Sequence, residues 1–147
     1  MIYYLIASIL IAVAALFART KRAVLAAGIL FYAVQIAAAG LLLWGGLYDT
    51  TSAAFFTFDA LGTLFYLLLV VVSMYVFGHS EAYLQGEDLR SYRLYFALLM
   101  LLTTAIAGAY FANNLAVTWI FLEATTLCSA GIIYHRRTAQ ALEAAWK

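Results

Sequence analysis

The sequence predicts an all-α fold: a polytopic bundle of transmembrane helices, with five spans and the start of a sixth helix. Three observations carry the prediction. Of the 147 residues, 67% are apolar and only 10% are charged, against about 25% charged in an ordinary soluble domain. The apolar residues fall into five runs long enough for a bilayer core, which takes about 20 helical residues. Proline is absent, and no short alternating segments of the transmembrane β-barrel kind occur. This composition excludes a water-soluble globule and a disordered chain. A net charge of +1 excludes a basic nucleic-acid binder. The one cysteine, Cys128, cannot close an internal disulfide.

The five runs cover roughly 2–18, 23–47, 60–77, 92–111 and 115–134. Helix is required because an open strand would leave its backbone groups unpaired in lipid. The first run lacks the basic start of a signal peptide, since Arg19, Lys21 and Arg22 follow it. Asn113-Asn114 is a tight turn that makes the fourth and fifth spans antiparallel neighbours. The tail 138–147 holds good helix formers, with Thr138 as a candidate N-cap. It is either a short interfacial helix or the first turns of a sixth span. No repeat or linker divides the chain, so 1–147 is a single membrane domain.

Orientation follows from the basic residues. With five crossings Arg19, Lys21, Arg22, Arg90, Arg93, Arg136, Arg137 and Lys147 all fall on one side. The positive-inside rule then puts the N-terminus outside and the C-terminus in the cytoplasm of an inner (plasma) membrane. The basic pairs themselves read chiefly as topology anchors, with a lipid head-group site as the alternative. Tyr3, Tyr4, Trp44, Tyr48, Tyr92 and Tyr134 fit interfacial aromatic belts.

Glu123 is the residue to weigh first. It stands near the middle of the fifth run, where a carboxylate costs several kcal/mol unless it has a partner, water or a proton. Burial raises a carboxyl pKa and an opposite charge lowers it, which suits such a group to gaining and losing a proton. The alternative is a neutral glutamic acid that glues helices together. No lysine, arginine or histidine lies in the interior of the five runs, Arg93 standing at the very start of the fourth, so its partner must come from elsewhere or be water. Helical spacing puts Trp119, Thr126, Leu127 and Ala130 on its face.

The small and polar stretch from Ala124 to Gly131 reads as a packing face whose hydroxyls can bond across helices. Cys128 within it has no base to activate it. Asp59 reads as the N-cap of the third span, with a role near the outer interface as the alternative. Gln35 reads as a mid-membrane bond to another helix. His79 and His135 read as surface residues, although His135, beside Arg136 and Arg137, could exchange protons at a channel mouth. No metal-ligand set, phosphate loop, dinucleotide motif or catalytic triad is present, so the expectation is no cofactor, no metal and no catalytic residue.

Asn113-Asn114-Leu115, Trp119, Glu123-Ala124-Thr125-Thr126-Leu127 and Leu142-Glu143-Ala144-Ala145-Trp146-Lys147 resemble the hydrogenase-4 component F family. Its members are antiporter-like membrane subunits of complex I and related hydrogenases. Phe58-Asp59-Ala60-Leu61-Gly62 is similar to a family motif ahead of the third helix. The resemblance implies a cofactor-free subunit in the membrane arm of a proton-translocating oxidoreductase. Its partners would be other membrane-arm subunits and the lipid bilayer, with no nucleic acid. Glu123 would pair with a lysine on a later helix, with Thr126, Asp59 and His135 as possible supporting residues.

The chain departs from the family in reaching only the sixth helix, and in carrying His79-Ser80-Glu81 where a tyrosine- and arginine-bearing stretch is usual. It therefore reads as the N-terminal third of such a subunit, a truncated product or a fragment. The rival readings are a non-catalytic membrane scaffold or assembly protein that has lost transport, and a small transporter acting as an oligomer.

Overall fold

The computed structural model describes residues 2–45, 55–136 and 139–146. Tyr48, Arg137, Thr138 and Lys147 lie outside them. The described elements are helical: α1 (Ile2–Leu16), α2 (Lys21–Leu43), α3 (Ala60–Tyr83), α4 (Leu89–Tyr110), α5 (Leu115–Ile133), a 3-10 turn (Tyr134–Arg136) and α6 (Ala139–Trp146). Four helices, α2 to α5, are long and apolar enough to cross a membrane. Their outer faces carry Ile29, Leu64, Leu68, Val71 and Leu127 exposed. An apolar exterior around a helical core is that of a membrane protein, because water would penalise such surface.

The boundaries differ from the expected ones for local reasons. The first run yields a helix of 15 residues, about 22 Å long at 1.5 Å per residue and short of the ~30 Å hydrocarbon core. It stops because its last turn tightens, with Phe17 and Ala18 bonding back to Ala14 and Ala15. Arg93 Nη1 then donates to the Ala18 carbonyl (3.1 Å). Thr20 starts α2 as its N-cap, accepting from the Ala23 N–H (3.2 Å). At its far end α2 closes at Trp44 and Gly45 rather than running to 47, because Gly45 takes the left-handed backbone (φ 73°) that only glycine enters cheaply. The third helix continues past 77 to Tyr83. His79-Ser80-Glu81 is polar without breaking the helix, since the Ser80 hydroxyl bonds its own turn at Val76 O (2.7 Å).

The helices alternate in direction, and α4 is the hub, packing against α1, α2, α3 and α5. Its buried residues surround most of its circumference. By contrast α3 buries one narrow stripe of Gly62, Tyr66, Val70, Ser73 and Ser80, at the i, i+4, i+7 spacing of a single helical face. Toward the α1–α2 turn the core is aromatic, with Phe77 against Phe96 (4.8 Å between centroids) and Tyr92 against Phe96 (4.7 Å). At the opposite end the chain before α3 clasps the α4–α5 turn. The Thr57 N–H donates to Phe111 O (2.8 Å) and the Asn113 N–H to Phe55 O (2.7 Å).

Gln35 is fully buried and ties three helices together. Its Oε1 accepts from Tyr4 of α1 (2.5 Å) and from Tyr66 of α3 (2.9 Å), and its Nε2 lies 3.4 Å from Ser8 Oγ of α1. The expected bond to another helix is therefore present, and Ser8 joins it unannounced. Gln35→Leu would strip both tyrosine hydroxyls of this acceptor, and interhelical bonds in a membrane are worth about 0.6 kcal/mol each, at most about 1.7. We expect a loss of about 1–3 kcal/mol in a detergent unfolding assay. An unchanged midpoint would show that the network contributes nothing.

The basic end of the bundle is a built structure. Lys21 Nζ donates to Glu87 O (2.7 Å) and stands 5.2 Å over the Tyr92 ring. Tyr92 is consequently buried, and Tyr4 is drawn into the Gln35 network, so neither belongs to an interfacial belt. Tyr3 and Trp44 are fully enough exposed to do so (85% and 91%).

Candidate functional site on helix five

Asn114 begins α5. Its side chain accepts from the Val117 N–H (2.9 Å), satisfying one of the donors a helix start leaves open. From there α5 lies along α4 with aromatic and small residues in register. The Phe121 ring occupies the space over Gly108, where a Cβ would stand 2.3 Å from a ring carbon, and Leu98 likewise sits on Gly131. Beyond α4, α5 packs chiefly on the 3-10 turn and α6 that follow it, and its Phe121 ring also meets Phe56 ahead of α3 (6.1 Å). No residue of α5 is buried.

Glu123 is the ninth of the 19 residues of α5 and it is exposed. It points away from α4, on a face shared with Trp119, Ile120, Thr126 and Leu127, of which Leu127 is 71% exposed. Its carboxylate forms no hydrogen bond or ion pair with a described residue. Of the supporting residues, Thr126 is one turn away. Its hydroxyl bonds the Glu123 main-chain carbonyl (2.8 Å), not the carboxylate.

Asp59 is the N-cap of α3, with Oδ1 accepting from the Gly62 N–H (2.9 Å). His135 stands at the opposite end of the bundle, about 18 Å along the helix from Glu123 at 1.5 Å per residue. The four residues therefore do not form one cluster: Glu123 and Thr126 are together, Asp59 and His135 apart.

His135 is not a surface residue. It is 7% exposed, because the 3-10 turn folds its ring edge-on against Tyr95 (5.3 Å). Its Nδ1 lies 2.7 Å from Ile132 O, and its buried Nε2 has no hydrogen-bond partner among the described residues. His79 is exposed and stacks on Tyr75. The small-polar half of α5 is partly covered, with Leu98 seated on Gly131, but its hydroxyls do not bond across helices. The hydroxyls of Thr125, Thr126 and Ser129 all bond carbonyls of their own helix (2.7–2.9 Å). Each hydroxyl is thus bonded within its own helix rather than across to another. Cys128 is half-buried beside α4. Among the described residues no three His, Cys, Asp or Glu side chains gather as a metal-ligand set.

Reading the sequence missed Ser8 and Arg93. Serine in an apolar run, opposite a glutamine at a similar depth in the next, was the available signal for the first. For Arg93, no local pattern announces a bond to a carbonyl 75 residues earlier.

The arrangement presents one carboxyl group on a face open along α5. No protein-family model, curated protein or solved structure matches this chain.

Proposed function

We propose that the chain is a membrane-arm subunit, or the N-terminal part of one, in a hydrogenase-4-like or complex-I-like proton-translocating oxidoreductase. In this reading α1 to α5 are five spans. The N-terminus is outside and the end bearing Lys21, Arg22, Arg90 and Arg93 is cytoplasmic in the plasma membrane. Glu123 is the coupling carboxylate, and the open face of α5 receives a partner segment that brings a cation to it. Thr126 supports that site by its position one turn on, and His135 belongs to the cytoplasmic end.

One observation carries the reading: Glu123 stands at mid-helix on an uncovered face with no countercharge among the described residues. An acid left in that position at the centre of a bilayer is a functional group by default, because hydrocarbon penalises it. The motifs at Asn113-Asn114 and Glu123 to Leu127 add the specific family.

The test is to isolate the chain from its native membrane in mild detergent. The particle should contain redox subunits of hydrogenase or quinone-reductase type, and electron transfer through it should drive proton uptake. A chain that comes away without such subunits and without electron-transfer activity would replace this reading with a scaffold that has lost transport.

A further inference from the structure

Two cavities lie on one seam of the bundle. The first, about 190 Å³, is lined by Leu16 of α1 and by Arg90, Arg93 and Leu94 of α4. The second, about 260 Å³, is lined by Ile9 of α1, by Leu101 and Ala105 of α4, and by Ala124, Leu127 and Cys128 of α5, among others. Leu16 and Ile9 are seven residues apart, as are Leu94 and Leu101. Positions seven apart share a helix face, so the cavities follow one another along the α1–α4 groove. They are separated by about 10 Å at 1.5 Å per residue.

Their chemistry is complementary. The first, upper cavity has two guanidinium groups and no carboxylate among the described residues that line it. Arg93 spends one N–H on Ala18 O, while the Arg90 guanidinium bonds no described residue. The N-terminal turn of α4 adds its own positive end. The lower cavity is almost wholly apolar. Its one hydroxyl, that of Thr104, is already bonded to Met100 O (2.8 Å).

We propose that this seam is a binding site for an anionic phospholipid, with Arg90 and Arg93 holding the phosphate and the α1–α4–α5 groove holding an acyl chain. The inference rests on the membrane-spanning part of the reading above, not on Glu123 or proton coupling. A guanidinium pair matches phosphate oxygens through several donors. An acyl chain supplies the apolar length to reach from Leu94 to Ala105. A free phosphate would satisfy the arginines alone, so the lower cavity distinguishes the two sources.

The full chain purified in detergent would be titrated with phosphatidylglycerol, phosphatidylcholine and inorganic phosphate, with retention read by native mass spectrometry. Phosphatidylglycerol should be retained over phosphatidylcholine by about fivefold or more per arginine engaged, and phosphate should not be retained. Arg90→Gln should lower phosphatidylglycerol retention about fivefold, and Arg90→Lys should restore part of it. Ala124→Phe, which fills the groove from a half-buried position, should also release the lipid with both arginines intact. Equal retention of the two lipids would overturn the proposal, as would phosphate binding that Arg90→Gln abolishes while Ala124→Phe changes nothing. A chain soluble without detergent would instead overturn the membrane reading beneath it.

Discussion

Glu123→Gln is expected to cut redox-driven proton translocation by the intact particle about 10²-fold, the scale on which a positioned proton-transfer group contributes. The substitution keeps the shape and removes the ability to carry charge. The Glu123 side chain is exposed and its carboxylate bonds no described residue. Folding stability should therefore shift by no more than about 0.5 kcal/mol, as for other exposed positions. The pairing of those two outcomes is the informative result. Loss of translocation with an unchanged unfolding midpoint places the effect in chemistry rather than in folding. The measurement is proton uptake per electron transferred in reconstituted vesicles, with the unfolding midpoint taken on the same preparation. Undiminished translocation in the glutamine variant would remove Glu123 from the coupling path.

Gly28→Ala should destabilise the bundle by about 1–3 kcal/mol, the cost of one extra methyl in a packed core. A Cβ at residue 28 would stand 2.0 Å from Phe77 Cζ. That ring is held on its other sides by Tyr32 (5.2 Å) and Phe96 (4.8 Å), so it cannot yield without disturbing α2 and α4 together. The thermal midpoint in detergent should fall by about 2–4 °C per kcal/mol for a chain of this size. Phe77→Leu in the same chain vacates the space and should recover most of the loss, a non-additivity expected only of groups in contact. If Gly28→Ala melts with the parent, or if the second change makes matters worse, the close approach of α2 and α3 does not depend on this glycine.

The legible parts of the molecule are those written in local pattern. Long apolar runs without proline become helices because lipid and core alike demand internally paired backbones. The Asn113-Asn114 turn was readable, and Asn114 does cap α5. Asp59 was readable as a cap, being a short acceptor side chain immediately before an apolar run. Gln35 stood out as an amide among alkyl groups, and the bond it needed is there. Helix ends were less legible. The third helix runs on through His79-Ser80-Glu81, because hydropathy marks where a helix leaves oil rather than where its hydrogen bonds stop.

The sequence by itself determined the all-helical fold class, the order of the helices, the turn at Asn113-Asn114, the cap at Asp59, and the isolation of one acid in an apolar run. Each depends on neighbours within a few residues, where spacing and side-chain chemistry act directly. Only the tertiary structure decided that Glu123 and Thr126 lie on the open side of α5, that His135 is turned inward against Tyr95, that Tyr92 is buried, and that the half-buried Tyr4 bonds Gln35. Only it brought Arg93 to the end of α1, and set Ile9, Leu101 and Ala124 around one groove. In a helix apolar on nearly every side, hydropathy has no preferred direction. Which face meets a neighbour is settled by where glycines such as Gly108 and Gly131 let another helix come close, and by contacts between residues far apart in the chain.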